Sequence, residues 1–208
     1  MEGEPTTDAG TDKVTFRIDG TTDIMATGIL VGNGYVPVTT CTFRHLLTQV
    51  RLVCYSDRVD AWGTIQTIEA ADVHTRQELD LSAETPRLAD ISVAEDIKNL
   101  PVQDIAGLLI PQVASDGSPP EAQGYLLLPA SPVNGTADHP LHLRITTTKD
   151  GNGNLKETLS NVFVRIEGGF EIGKSHIVSL FFTRAANIQT TYVSVEAWTE
   201  DEQGEMPI

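Results

Sequence analysis

The sequence predicts an all-β protein, an antiparallel β-sandwich with at most one or two short helices. Three observations predict it. Apolar and polar residues alternate with a period of two in segment after segment, as in strands that bury one face. The same segments are rich in Thr, Val and Ile, which suit a pleated, half-covered surface. Clusters of Gly, Asn, Asp and Pro separate them where an α/β fold would place helices. The 208 residues suffice for one sizeable core, or two small ones, without covalent staples.

The first strand is read from Val14, Phe16 and Ile18, which alternate with Thr15 and Arg17 until Asp19-Gly20 ends the pattern. A strand reaching Phe43 is expected next, and then a helical turn at Arg44–Leu47 before the following strand. There Val50, Leu52 and Cys54 point one way and Gln49, Arg51 and Val53 the other. Further strands are expected at 64–68, 124–128, 141–147, 161–166, 176–183 and 192–198. Asp150-Gly151-Asn152-Gly153-Asn154 reads as a hairpin turn, because Gly and Asn tolerate positive φ. Gly32-Asn33-Gly34 and Gly168-Gly169 read as turns too. A short helix is expected over residues 92–100, opened by Ser92 and Glu95 as a capping box and stopped by Pro101.

Composition narrows the function. A formal net charge of -15 sets nucleic acid aside as a partner, since phosphate binding needs clustered cations. Glu2, Glu4, Asp8 and Asp12, with Glu200, Asp201, Glu202 and Glu205, read as solvated acidic tails. No apolar run approaches the ~20 residues of a membrane-spanning helix. The start, Met-Glu-Gly-Glu-Pro, lacks the basic and apolar regions of a secretory signal, so the chain is cytoplasmic or a leader is missing. Cys41 and Cys54 read as buried small hydrophobes, with a disulfide between them as the lesser alternative.

No catalytic constellation is expected, and neither a metal nor a cofactor. Asp150-x-Asn152-x-Asn154 begins like a calcium loop, but Leu155 and Asn161 stand where such a loop needs Gly and an acid. His45, His74, His139, His142 and His176 show no metal-ligand spacing. There is no Gly-x-Ser-x-Gly elbow and no phosphate loop. Asn134-Gly135-Thr136 is a glycosylation sequon, informative only in a secreted eukaryotic chain. Large aromatics read first as core. Facing outward, Trp62 and Trp198 would instead stack on sugar rings, which defines an alternative reading as a carbohydrate-binding sandwich module of a surface glycan-utilisation system. A glycoside hydrolase would need two carboxylates ~5–10 Å apart in a cleft.

Taken in order, several segments resemble the fimbrillin-like family, the type V pilus subunit and anchor proteins of Gram-negative anaerobes. Asp23-Ile24-Met25-Ala26 is similar to its D-[IL]-M-Y-A segment, without the Tyr. Val38 to Val50 resembles its V-x-L-x-F-x-H-x-L-[AST]-[KQ]-[VIL] stretch, through Phe43, His45 and Leu47. Ile65–Ile68 and Glu78-Leu79-Asp80-Leu81 resemble the following strand and its L-D-L continuation. Tyr125–Pro129 resembles an apolar run closed by Pro, although Leu108–Gln112 competes for that match. Gly173-Lys174-Ser175-His176 through Trp198 resembles the terminal G-K-x-Y strand pair, with His176 in the aromatic's place.

The resemblance mainly concerns that family's C-terminal domain. It implies transthyretin-like, Greek-key sandwiches, export as a lipoprotein to the outer membrane, and a non-enzymatic structural role as fimbrial subunit, tip or anchor in adhesion. Implied partners are other fimbrial subunits, in a homo- or hetero-polymer, with host proteins or glycans as adhesion ligands. Implied assembly is by β-strand exchange after proteolysis at a basic residue, which singles out Val14, Phe16, Arg17 and Ile18. The expected organisation is an acidic tail at 1–12, a strand remnant of an N-terminal domain with its connector at 13–35, a sandwich domain at 36–199 and a second acidic tail at 200–208.

Overall fold

The computed structural model describes residues 6–7, 12–114, 117–131, 134–183 and 186–198; most of the two acidic tails lies outside them. Alternation becomes strands where expected: β2 (Lys13–Arg17), β5 (Leu47–Ser56), β6 (Ile65–His74), β10 (Gly124–Pro129), β11 (Leu141–Lys149), β12 (Leu155–Val164), β13 (Lys174–Phe182) and β14 (Ile188–Ala197). Shorter strands complete the set: β1 (Thr6–Thr7), β3 (Met25–Ala26), β4 (Arg44–His45), β7 (Arg76–Asp80), β8 (Leu88–Asp90) and β9 (Ile97–Pro101).

Two four-stranded sheets, in the orders β10-β5-β13-β14 and β12-β11-β6-β9, form the sandwich. Their inward side chains merge into one buried cluster, including Leu52 and Cys54 of β5, Leu180 and Phe182 of β13, Ile65 and Ile68 of β6, and Leu143 and Ile145 of β11. A third sheet, β1-β2-β7-β8, grows from the end of the second, because β6 runs into β7 with only Thr75 between them. Among the described residues every strand ladder is antiparallel except one. β13 lies parallel to β5, with Ser175 opposite Gln49 and Phe182 opposite Ser56.

The helix expected over 92–100 does not form. A single 3-10 turn, Ala94–Asp96, leads into β9, which pairs with β6 and buries Leu100. The run is too short to offset helix nucleation, whereas the edge of β6 offers ready backbone partners. Asp96, not Glu95, caps the turn by accepting the Val93 N–H, while the Ser92 hydroxyl bonds the backbone of Arg76. The turn expected at Arg44–Leu47 is likewise extended: β4 pairs with β3, and Leu46 donates to the Ile24 carbonyl. One helical turn went unanticipated, α1 (Val59–Trp62), which ends at Gly63 with φ 68°. The Asp150–Asn154 turn forms as expected, its Asp150 carboxylate accepting the N–H groups of Asn152 and Asn154.

β3 and β4 are the base of a long arm spanning residues 27–43. Asn33 and Val36 exchange backbone hydrogen bonds at its tip, and Asn33 Oδ1 accepts from Tyr35 and Val36. Between base and tip no strand forms; residues 29–40, 42 and 43 are exposed, while Thr27 and Gly28 are half-buried, with Gly28 close against the Glu84 carbonyl. Cys41 sits on this arm and is partly exposed, so only Cys54 is the buried small hydrophobe expected of both; the two are free thiols.

Candidate functional site

Three places bear on function: strand β2, the surroundings of the two tryptophans, and a cleft between the sheets. β2 follows from its alternation. Val14 and Ile18 are buried and Phe16 packs against the core, while Lys13 and Arg17 point outward. It pairs along its whole length with β7, and Ile18 continues the ladder by donating to the Thr75 carbonyl at 2.8 Å. On its other side, among the described residues, β1 pairs with Val14 and Thr15.

Ion pairs pin both ends of β2. Lys13 meets Glu78 at 2.6 Å, and Arg17 meets Asp96 at 2.6 Å. The Val93 N–H and then the Arg17 guanidinium hold the Asp96 carboxyl below the usual carboxylate range. Arg17 is thus a paired residue inside a docked strand, and a protease acting after it requires β2 to leave the sheet.

Trp62 corrects the sugar-stacking alternative. It is 1% exposed, meets Phe182 edge to face at 5.4 Å and donates its indole N–H to the Thr183 carbonyl, so neither ring face is open to a saccharide. Trp198 is half-buried, with His45 stacked on it at 4.0 Å. His45 Nδ1 lies 2.6 Å from Asp23 Oδ2, so the base of the arm is fastened to the end of β14. Motif residues Asp23, His45 and Trp198, far apart in sequence, meet at this one point.

An open cleft of about 620 Å³ lies where the ends of β6, β8, β11 and β12 meet the 129–140 loop. His74 Nδ1 is 2.6 Å from Asp90 Oδ2. Burial alone would raise the Asp90 carboxyl, but hydrogen bonds from Ser92 and then His74 hold it low. His142 stacks on the exposed ring of Phe163 at 4.6 Å and reaches Asn161 at 2.8 Å and Asp72 at 3.6 Å. Asp72 sits in a bulge of β6 with φ 57°. Among the described residues no Lys or Arg lines the cleft, whereas Asp72, Asp90 and Asp138 do, so it suits a neutral or cationic ligand better than an anion. Among the described residues no three His, Cys, Asp or Glu are grouped to hold a metal. Period and spacing could not reveal this cleft, since its lining comes from separate strands joined only by the fold.

No protein-family model matches the sequence, and no curated protein does. Solved structures do match. One is a provisionally assigned cell-adhesion protein of Bacteroides uniformis ATCC 8492, 14% identical with TM-score 0.60, the match covering 93% of this chain and 68% of that one. Another, from Parabacteroides distasonis ATCC 8503 and provisionally assigned the same role, is 11% identical with TM-score 0.53 over 92% and 76% of the two chains. These identities establish a shared fold. The all-β sandwich expected from the sequence and from its fimbrillin-like resemblance is the fold of these Bacteroidales proteins.

Proposed function

We propose that the chain is a non-enzymatic structural component of a surface fimbrium, acting as subunit, tip or anchor and joining its neighbours by strand exchange at β2. The observation that carries the reading is the way β2 is held: a short strand paired along one edge with β7 and, among the described residues, only at Val14 and Thr15 along the other, on a fold shared with proteins assigned to adhesion. Burying Val14, Phe16 and Ile18 contributes of the order of 5 kcal/mol, comparable with the ~5–15 kcal/mol stability of a whole domain. Losing β2 therefore leaves the β7 edge and its apolar groove in need of a replacement. A neighbour's strand with apolar residues at alternate positions supplies both the hydrogen bonds and the burial.

The partners in this reading are other fimbrial subunits, and the place is the cell surface. Immunogold labelling of cells producing a tagged chain tests it: label on filaments is expected, lost when Val14 and Ile18 are both replaced by Asp. Filaments without label, or labelled equally with that variant, would overturn the reading.

A second reading, glycan binding, moves from Trp62 and Trp198 to the cleft. Phe163 offers an exposed ring beside Asp72, His74 and Asn134, an aromatic face with hydrogen-bonding groups around it that suits a neutral saccharide. Glycan-array binding that disappears in Phe163→Ala is its expected result; no binding by the unaltered chain removes it.

A further inference from the structure

β2 fills its place beside β7 now, and so displays the chemistry that any replacement has to reproduce. Its backbone bonds to β7 are indifferent to sequence, and Val14, Phe16 and Ile18 require only apolar residues at alternate positions. The opposite face requires more. Arg17 and Arg76 stand directly across the ladder from one another, like charges that repel unless something lies between them. Asp96 stands beside both. Its Oδ1 is 2.6 Å from the Arg17 guanidinium, while its Oδ2 accepts the Val93 N–H at 3.2 Å and lies 3.9 Å from Arg76. The Asp96 side chain is 4% exposed and that of Arg17 is 53% exposed. The pair therefore serves the carboxylate, since Arg17 reaches water without it and Asp96 does not.

Resting on the strand-exchange reading, we propose that Asp96 selects the incoming strand. The strand it admits belongs to a different protein, lies antiparallel to β7, and carries Arg or Lys at the register position of Arg17, between apolar residues at those of Phe16 and Ile18. A strand lacking that cation covers Asp96 again and leaves the charged Oδ1 without its partner. The Lys13–Glu78 pair adds little to the choice, because it lies at the surface. Charge also says which strands do not fit. β14 contains no Lys or Arg, and neither do residues 199–208, whose four acids would meet Asp96, Glu78 and Asp80 as like charges. Exchange of β2 between two copies satisfies the groove, but it brings together two bodies of net charge -15. A cationic strand of another chain meets no such repulsion and is drawn toward the groove.

Fluorescent synthetic peptides test the inference on the full chain carrying Val14→Asp and Ile18→Asp, whose own β2 no longer holds its place. A peptide of residues 12–19 is expected to bind, as read by fluorescence anisotropy. The same peptide with Arg17→Gln is expected to bind roughly 10-fold more weakly or worse. A shuffled peptide of the original composition is expected not to bind, which separates the groove from general attraction to an acidic chain. Adding Asp96→Asn to the chain should erase the difference between the first two peptides, a result that a merely structural role for Asp96 would not give. The unaltered chain is titrated in parallel. There the peptide has to displace β2, so binding is slower with the same order of peptides, and this arm decides if the substituted chain does not fold. No binding by either chain, equal binding of the shuffled peptide, or a difference that survives Asp96→Asn overturns the inference. Equal affinity for the first two peptides removes the selector and leaves strand exchange at β2 standing; a discriminating groove without labelled filaments removes the fimbrial reading and leaves the selector.

Discussion

His176 lies in β13 and is completely buried. Its ring meets Phe170 edge to face at 5.5 Å, Nε2 accepts the Glu171 N–H, and Nδ1 has no partner. Burial lowers its pKa, against a weaker pull from Glu171, so the imidazole is held neutral. Replacing it by Phe removes an unpaired polar group worth ~1–3 kcal/mol, while the larger ring adds an overpacking cost of ~1–3 kcal/mol. At one pH the two oppose each other, so the decisive quantity is the change with pH. In the unfolded chain the imidazole titrates near ~6.5. Below that, and above the lower folded value, the unfolded state binds more protons, so the unaltered protein loses stability as pH falls. From pH 8 to about 5.5 the loss reaches up to ~1.4 kcal/mol. Overpacking is the same at both pH values, and the depressed carboxylates of Asp96 and Asp90 remain in both proteins. Urea unfolding followed by tryptophan fluorescence at pH 8 and pH 5.5 should therefore show His176→Phe gaining on the unaltered protein toward acid. A stability difference equal at the two pH values would refute the argument.

Asp96→Asn deprives Arg17 of its ionic partner, and trypsin is expected to cut after Arg17 several times faster, with cleavage at basic residues that do not touch Asp96 unchanged. The depressed Asp96 carboxyl contributes stability above the unfolded value of ~3.9 and loses it as pH falls through the lower folded value; protection of the β2 amides in hydrogen exchange should fall in that window. Burial pushes the Cys54 thiol up to about 12, so iodoacetamide should label Cys41 alone in the folded protein and Cys54 only in urea; two labels under native conditions would contradict the packing. Trp62→Ala should lose ~3–5 kcal/mol in urea unfolding, for the emptied core site and the lost indole hydrogen bond.

The strands were legible because their alternation is local: β2, β11 and the Asp150–Asn154 turn can each be read without knowing what lies opposite. β9 was not, since Val93, Ile97 and Leu100 fit a helix as well as a strand and the choice is made by β6, far away in sequence. Trp62 was ambiguous because a tryptophan carries no mark of the side it faces. Asp72, His74, His142 and Phe163 gave no signal, because their proximity exists only after the sheets form. The arm at 27–43 was half legible. Its lack of charge is plain in the sequence, but a neutral, Val- and Thr-rich stretch reads as sandwich interior until its exposure is seen.

The parallel ladder between β5 and β13 constrains how the molecule comes into being. Ser175 bonds Gln49 through its side chain across 126 residues of sequence, and the two strands are neighbours at the centre of their sheet. No local hairpin can substitute for this pairing, so the first sheet stays open until β13 has been made. Contacts so distant in sequence slow folding and lengthen the time for which β5 and β10 are exposed. Until β13 is available, β5 lacks its central neighbour and its apolar face has no sheet to complete.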